Sequence, residues 1–152
     1  MTAPLRVAVV MPPVVDGDPR RAAASWTTLT RTIAEVHTVA DVEFQVFGRH
    51  DTVPDLWADG SDAYLFTASD VALAGAVASM QPDVVHVHGL FANRLLRELR
   101  RVLPASVPMV LQHHGEPVPS LRARLAHRVV RGRVDGGLFE RPGRAGGFGA
   151  FA

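Results

Sequence analysis

The chain is predicted to fold as one α/β domain, with a mostly parallel sheet and helices on both faces of the sheet. Two observations lead to this prediction. Short apolar segments alternate with longer segments of helical periodicity, which is the pattern of strand-helix-strand units in a parallel sheet. The length of 152 residues, with 47% apolar and 20% charged residues, suits a globular domain with a single core.

The first half of the chain is predicted to contain three strands and two helices. Residues 11–21 contain three prolines and one glycine, which predict a loop. Leu29, Ile33 and Val36 have the spacing of one buried helix face, and Ser69 or Asp70 suits a helix N-cap. Residues 48–62 are predicted to be a polar turn region. The predicted elements are a strand over 5–10, a helix over 22–36, strands over 42–47 and 63–67, and a helix over about 69–80.

The second half continues the alternation, with strands over 83–87, 109–112 and 134–139 and helices over 91–102 and 119–131. Right-handed crossovers place the carboxyl ends of parallel strands at one edge of the sheet. In the helix over 91–102, the leucines at 95, 96 and 99 are predicted to face the sheet, and the arginines at 94, 97, 100 and 101 to face water. Residues 141–152 contain four glycines and no helical face, so the domain is predicted to span 1–140 and to be followed by an irregular tail.

Two segments at predicted strand ends carry most of the functional information. Residues 82–89 are Pro-Asp-Val-Val-His-Val-His-Gly, and residues 110–117 are Val-Leu-Gln-His-His-Gly-Glu-Pro. Each is a short apolar run that stops at histidine followed by glycine. Open α/β sheets bind ligands outside the carboxyl ends of their strands. Four of the seven histidines are therefore predicted to cluster where such a sheet places its site.

These segments, with their glycines and the helix between them, resemble the N-terminal half of GT-B glycosyltransferases, specifically the large retaining family 4. The resemblance extends over residues 5–139, and its specific part is residues 82–117. It implies a Rossmann-like acceptor-side domain of an enzyme that transfers a sugar from a nucleotide-sugar to an acceptor hydroxyl. In that family the C-terminal domain grips the nucleotide. The chain is therefore expected to be a fragment that is inert alone and acts with a separate donor domain.

The resemblance also implies which residues form the site. His114, directly before Gly115, matches the family's histidine at the acceptor and reaction centre, and His113 is the second candidate. An imidazole has a pKa near physiological pH, so it can donate or accept a proton there. The implied substrate-binding residues are His88, Gly89, His113, Gly115 and Glu116, together with Asp16 and Gly17 in the loop after the first strand.

Two other functions stay open from the residues alone. The same fold could hold a sugar or an anion through the loop of His114, without chemistry. His86 and His88 share one strand face and could bind zinc, as in metal-dependent hydrolases, with His113 or His114 as a third ligand. Hydrolases with this pair usually carry it on their first strand, which weighs against the zinc site. The favoured interpretation includes no metal.

Composition excludes several classes of site. The net charge of +1 gives no indication of nucleic acid, and all 16 basic residues are arginine, which excludes a lysine Schiff base. The chain has no cysteine, and the loop after the first strand has one glycine, which disfavours NAD or FAD. No cofactor is expected beyond the nucleotide-sugar co-substrate. The expected partners are a sugar or lipid-linked acceptor and the donor domain. No apolar run is long enough to span a membrane, so we expect a cytoplasmic protein with at most peripheral membrane contact.

Overall fold

The structure is a computed structural model that describes residues 3–15, 17–50, 55–59, 62–89, 93–114 and 132–139. Within these ranges the chain forms seven strands and four helices. The strands are β1 (Leu5–Val10), β2 (Val42–Arg49), β3 (Asp55–Asp59), β4 (Asp62–Thr67), β5 (Val84–His88), β6 (Met109–His113) and β7 (Gly136–Phe139). The helices are α1 (Pro19–Ser25), α2 (Thr27–His37), α3 (Asp70–Met80) and α4 (Asn93–Val102). The helix predicted over 119–131 and the tail predicted over 141–152 lie outside the described residues.

All seven strands join one sheet in the order β3-β4-β2-β1-β5-β6-β7. Each neighbouring pair is parallel except β3 and β4, which are antiparallel. The predicted α/β class with a mostly parallel sheet is therefore confirmed. The parallel strands end at one edge of the sheet, which is the edge where the histidine-glycine segments lie.

Helices cover both faces of the sheet because the central strands are apolar on both sides. Ala8 and Val10 of β1 belong to a core that includes the buried leucines of α3 and α4. Val9, between them, belongs to a second core with Leu29 and Ile33 of α2. This alternation follows from the period of two in a strand. The predicted buried faces of α2 and α4 are thus correct. None of the described helices has both the length and the apolar character needed to cross a membrane.

The single helix predicted over 22–36 is in fact two helices. α1 begins at Pro19 because the Asp18 side chain accepts a hydrogen bond from the backbone N–H of Arg20 at 2.9 Å, an N-cap followed by proline. The loop predicted over 11–21 was therefore too long. The break between the helices lies at Trp26, whose backbone leaves the helical region (φ −81°, ψ 58°) and whose ring stacks on Phe66 at 6.2 Å. Packing of this partly buried ring against the core accompanies the break.

The polar turn region predicted over 48–62 was wrong in part, because it contains the end of β2 and the edge strand β3. β3 pairs with β4 from Asp55 opposite Phe66 to Asp59 opposite Asp62. Arg20 of α1 donates two hydrogen bonds to the Asp55 carboxylate, at 2.9 and 3.0 Å. The loop that precedes α1 is thereby held near the edge hairpin.

Arg100 of α4 does not face water as predicted, because its side chain is only 13% exposed. The Nε donates to the backbone carbonyl of Arg133 at 2.6 Å, and Nη1 donates to that of Val107 at 2.7 Å. Its Nη2 donates to the Asp135 carboxylate, which also accepts the backbone N–H of Met109 at 2.7 Å. One guanidinium therefore fastens α4 to the start of β6 and to the turn before β7. We call this set of bonds the Arg100 clamp.

Candidate functional site

The carboxyl ends of β1, β5 and β6 lie side by side in the sheet. β1 pairs with β5, so Val9 lies beside His86, and β5 pairs with β6, so His88 lies beside Gln112. His88 is the last residue of β5, and His113 is the last residue of β6. The topology therefore brings the two histidine-glycine segments together, as their place at strand ends led us to expect.

His88 and His114 form a hydrogen-bonded pair. The Nδ1 of His88 lies 2.5 Å from the Nε2 of His114, and the two rings are stacked with centroids 4.7 Å apart. His88 is only 6% exposed, whereas His114 is exposed. One of the two nitrogens must carry the proton and the other the lone pair, because a hydrogen bond needs one donor and one acceptor. The contact therefore couples the tautomer of an exposed imidazole to that of a buried one.

His86 adds a third ring to this cluster. Its centroid lies 4.3 Å from that of His88, on the same face of β5. Burial lowers the pKa of His86, a side-chain hydrogen bond with Gln112 partly opposes that effect, and a charge on His114 adds to the lowering. Burial also lowers the pKa of His88, to about 3, with further lowering by charges on His86 and His114. The two rings on β5 are therefore neutral imidazoles at neutral pH.

The Nε2 atoms of His86 and His88 are both buried, and neither has a hydrogen-bond partner among the described residues. Buried polar atoms in proteins nearly always have a partner, and exceptions often mark a site for water, an ion or a ligand. The described part of the chain holds no group of three or more histidine, cysteine or acidic side chains arranged to bind a metal ion. The stacked rings of His88 and His114 use their facing nitrogens on each other, so they do not converge on one point.

His113 is separated from this cluster. It is fully buried, and it alternates along β6 with Gln112 and His114, on the side of Met109 and Leu111 in the core under α3 and α4. The structure therefore places His114, but not His113, beside His88. Asp16, Gly115 and Glu116, which the sequence also indicated, lie outside the described residues.

The two predicted glycines in the described part of the chain are both in the left-handed region, where other residues are strained. Gly89 has φ +86°, and its N–H donates to the Gln112 carbonyl at 2.8 Å, which turns the chain sharply after His88. Gly17 has φ +93°, and its carbonyl oxygen lies 2.9 Å from Nε2 of His50. This contact ties the loop after β1 to the residue that follows β2.

Two cavities flank His88, which lines both of them. The first cavity, of about 420 Å³, lies on the side of α3 and α4. The second cavity, of about 330 Å³, lies between α2 and the sheet and also contacts His86, Gln112 and His114. The histidine cluster thus forms part of the boundary between two spaces at the strand ends.

Among the residues that the structure describes, charged side chains line only the first of these cavities. The Asp70 carboxylate accepts a hydrogen bond from Nη1 of Arg49 at 3.2 Å, and Nε of Arg94 lies 3.9 Å from it. Two guanidinium groups and one carboxylate line this cavity, which gives it a net positive charge. Arg49, Asp70 and Arg94 were not predicted as site residues. Because the second strand was predicted to stop at residue 47, Arg49 and His50 were assigned to a turn instead of to a strand end.

The buried histidines predict a loss of stability in acid. Below pH 6.5 the unfolded chain binds a proton at His88, whereas the folded chain does not until about pH 3. The contribution of His88 is therefore fully present above pH 6.5 and is lost as the pH falls, by at most about 1.4 kcal/mol per pH unit. Urea unfolding of the chain and of His88→Gln, from about pH 7.5 to about pH 5, measures this effect. The wild-type free energy of unfolding should fall more steeply, and equal slopes would contradict the assignment.

Comparisons with known proteins agree with this architecture. No protein-family model and no curated protein sequence matches the chain. Among solved structures, the chain is similar to the crystal structure of the alpha,alpha-trehalose 6-phosphate synthase from Burkholderia multivorans, with a TM-score of 0.60 and 18% sequence identity. The match covers 96% of this chain but 42% of that chain, so this chain spans about two fifths of that enzyme's length. The likeness shows the fold: the chain is a Rossmann-like α/β domain of the kind that forms half of a GT-B fold.

Proposed function

We propose that this chain is the N-terminal, acceptor-binding domain of a glycosyltransferase similar to the retaining family 4. Such an enzyme transfers a sugar from a nucleotide-sugar to an acceptor hydroxyl. The observation that carries the proposal is the His88–His114 pair, which lies at the carboxyl ends of parallel strands and lines two cavities. Two further observations support it. The fold is that of a GT-B half, and open α/β sheets bind their ligands at this edge.

The pair can prepare His114 to receive a proton. His88 is neutral at pH 7, because burial lowers its pKa to about 3. When Nδ1 of His88 accepts the N–H of His114 Nε2, the Nδ1 of His114 carries a lone pair. In the proposed step the acceptor oxygen bonds to the anomeric carbon, and its proton moves to His114. The nucleoside diphosphate leaves with the electrons of the broken glycosidic bond.

The proposal divides the reaction between two domains. A leaving diphosphate needs preorganised positive groups, and the resemblance to family 4 assigns most of these to a C-terminal donor domain. We propose that this chain contributes acceptor binding and that transfer requires such a donor domain. The acceptor is a sugar or a lipid-linked compound with a free hydroxyl.

Calorimetric titration of the purified chain tests this division. The probes are a panel of methyl glycosides and short prenyl-linked sugars as acceptors, and UDP-glucose and GDP-mannose as donors. We expect binding of at least one acceptor and none of either donor. His114→Ala should weaken acceptor binding about tenfold, the effect of losing one hydrogen bond.

A control is Val39→Ala, because Val39 is 83% exposed, follows α2 and lines neither cavity. This variant should bind the acceptor as the parent chain does. Donor binding without acceptor binding would reverse the assignment of the two halves. Equal affinity of the parent chain and His114→Ala would place the acceptor elsewhere.

One observation favours a second candidate, a non-catalytic module that binds a sugar or an anion. Arg49 and Arg94 share one carboxylate, that of Asp70, at the first cavity. Guanidinium groups bind phosphate and carboxylate with two parallel hydrogen bonds. Titration with inorganic phosphate distinguishes the candidates, since a module of this kind would bind it and would lose binding in Arg49→Gln while His114→Ala leaves it unchanged.

A further inference from the structure

We infer that the second cavity, between α2 and the sheet, binds the apolar body of an uncharged alcohol of one or two rings. The hydroxyl of this alcohol would lie against the histidines of β5. The inference rests on the proposed function, because the same His88–His114 pair would meet the acceptor hydroxyl, but it replaces the sugar or lipid-linked acceptor proposed above by an apolar alcohol. It also distinguishes this cavity from the charged cavity beside α3, where an anion is the candidate ligand.

One side of the cavity is apolar and firmly held. Apart from Pro12, its apolar lining residues are Val9, Met11, Trp26, Leu29, Ile33 and Phe44. All of these except Trp26 are buried members of the core under α2, and Trp26 packs against that core. The Trp26 ring is stacked on Phe66, which holds it in place. A surface built from close-packed core residues keeps its shape, so the cavity is preformed for a rigid apolar guest.

The volume limits the size of that guest. A cavity of about 150 Å³ lined by aliphatic and aromatic side chains can hold benzene in another protein. The present cavity measures about 330 Å³, so it suits a compound of about two fused rings. It lies at the lower end of the range for small-molecule sites, about 300 to 1,000 Å³. A long lipid chain would extend out of it, because the cavity opens to solvent.

The opposite side of the cavity is polar but uncharged. His86, His88, Gln112 and His114 contribute to it, and no arginine or acidic side chain lines the cavity among the described residues. Four exposed hydroxyl residues on the helix side also line the cavity, namely Ser25, Thr27, Thr28 and Thr32. The hydroxyls of Ser25 and Thr32 already donate to the backbone carbonyls of Ala22 and Thr28. The Nε2 atoms of His86 and His88 are buried and have no hydrogen-bond partner in the described part of the chain. Each of these nitrogens is a donor or an acceptor depending on its tautomer, and a hydroxyl can satisfy either one. Among the described residues, the guanidinium groups of Arg49 and Arg94 line the other cavity.

A free sugar fits this surface poorly. Some of its hydroxyl groups could meet Thr27 and Thr28 at the exposed side of the cavity, but those that face the buried apolar residues would lose their hydrogen bonds with water, which is unfavourable. A ring compound with one hydroxyl instead buries its apolar faces and places its only polar group at the histidines. The arrangement of one polar edge and one apolar wall thus favours an aromatic or alicyclic alcohol.

The test compares 2-naphthol with naphthalene, which lacks the hydroxyl, by calorimetry and by chemical shifts in the full chain. We expect 2-naphthol to bind about tenfold more tightly than naphthalene, the effect of one hydrogen bond. In His86→Leu and His88→Leu this preference should disappear while naphthalene still binds. Binding of naphthalene and 2-naphthol with equal affinity to the parent chain would overturn the role of the histidines.

Two further variants locate the guest without disturbing the histidines. Thr28 is exposed and lines the cavity, so Thr28→Trp should occlude it and weaken 2-naphthol binding about tenfold or more. Ala34 is exposed on the same helix and does not line the cavity, so Ala34→Trp should bind as the parent chain does. Equal binding by both tryptophan variants would overturn the inference.

The outcomes also separate this inference from the proposed function. If 2-naphthol does not bind but a methyl glycoside binds and depends on His114, the acceptor domain stands and the apolar acceptor is wrong. If neither an apolar alcohol nor any glycoside or prenyl-linked sugar binds to the folded chain, the proposed function itself fails.

Discussion

Replacing Arg100 by alanine should lower the free energy of unfolding by about 2 to 4 kcal/mol. The change removes the donors that satisfy two backbone carbonyls and the Asp135 carboxylate, and it does so at a side chain that is only 13% exposed. The turn before β7 would then lose its connection to α4. Urea unfolding followed by circular dichroism measures the difference.

Arg97 provides the matched control for the Arg100 clamp. It lies on the same helix, is exposed, and Arg97→Ala should change the stability by less than about 0.5 kcal/mol. Arg100→Lys should recover only part of the loss, because an ammonium group cannot reproduce the planar fork of a guanidinium. A loss in Arg100→Ala no larger than that in Arg97→Ala would show that the clamp contributes nothing to stability.

A single methyl group at Gly48 should destabilise the domain by about 1 to 3 kcal/mol. A Cβ at this position in β2 would overlap the ring of Phe66. The Phe66 ring is fully buried and stacked on Trp26, so moving it away would disturb both the core and this contact. Thermal unfolding of Gly48→Ala measures the cost.

The same substitution at Gly75 should have the opposite sign. Gly75 lies in the middle of α3, is exposed, and has no heavy atom within 4 Å of an added Cβ. Alanine is a better helix former than glycine, so Gly75→Ala should stabilise the domain by about 0.5 to 1 kcal/mol. Equal effects at the two positions would contradict the assigned contact between Gly48 and Phe66.

Elements with a strong local pattern could be predicted from the sequence. The buried leucines of α4 and the Ser69 N-cap of α3 are examples, because periodicity and capping act within one segment. β3 could not be predicted, because its five residues begin and end with aspartate, which is uncommon in strands. The segment is extended because it pairs with β4, and this contact is not visible in its own sequence. The helix break at Trp26 is not evident either, since it accompanies a contact with Phe66, which is distant in sequence.

The candidate site shows the same division between local and tertiary information. That the histidines gather at one sheet edge follows from their positions at strand ends. Whether His113 or His114 lies beside His88 does not follow from the sequence, because it depends on where β6 ends. The strand extends one residue beyond the predicted end, and His113 therefore enters the core while His114 stays at the edge. The cavity under α2 is lined by residues of β1, α1, α2, β2, β5 and β6, and no single segment encodes it.

The order of strands in the sheet has a consequence for folding kinetics. β1 lies at the centre of the sheet, and its partner β5 begins at Val84, just past the middle of the chain. The hydrogen bond from the Arg6 N–H to the Asp83 carboxylate beside these strands joins residues 77 positions apart. Closing so long a loop is slow compared with forming a hairpin such as β3–β4. The histidine rings on β5 can therefore reach their final environment only after this long-range pairing. Histidine ring signals in a refolding experiment should accordingly report one of the last events, well after helical signal has returned.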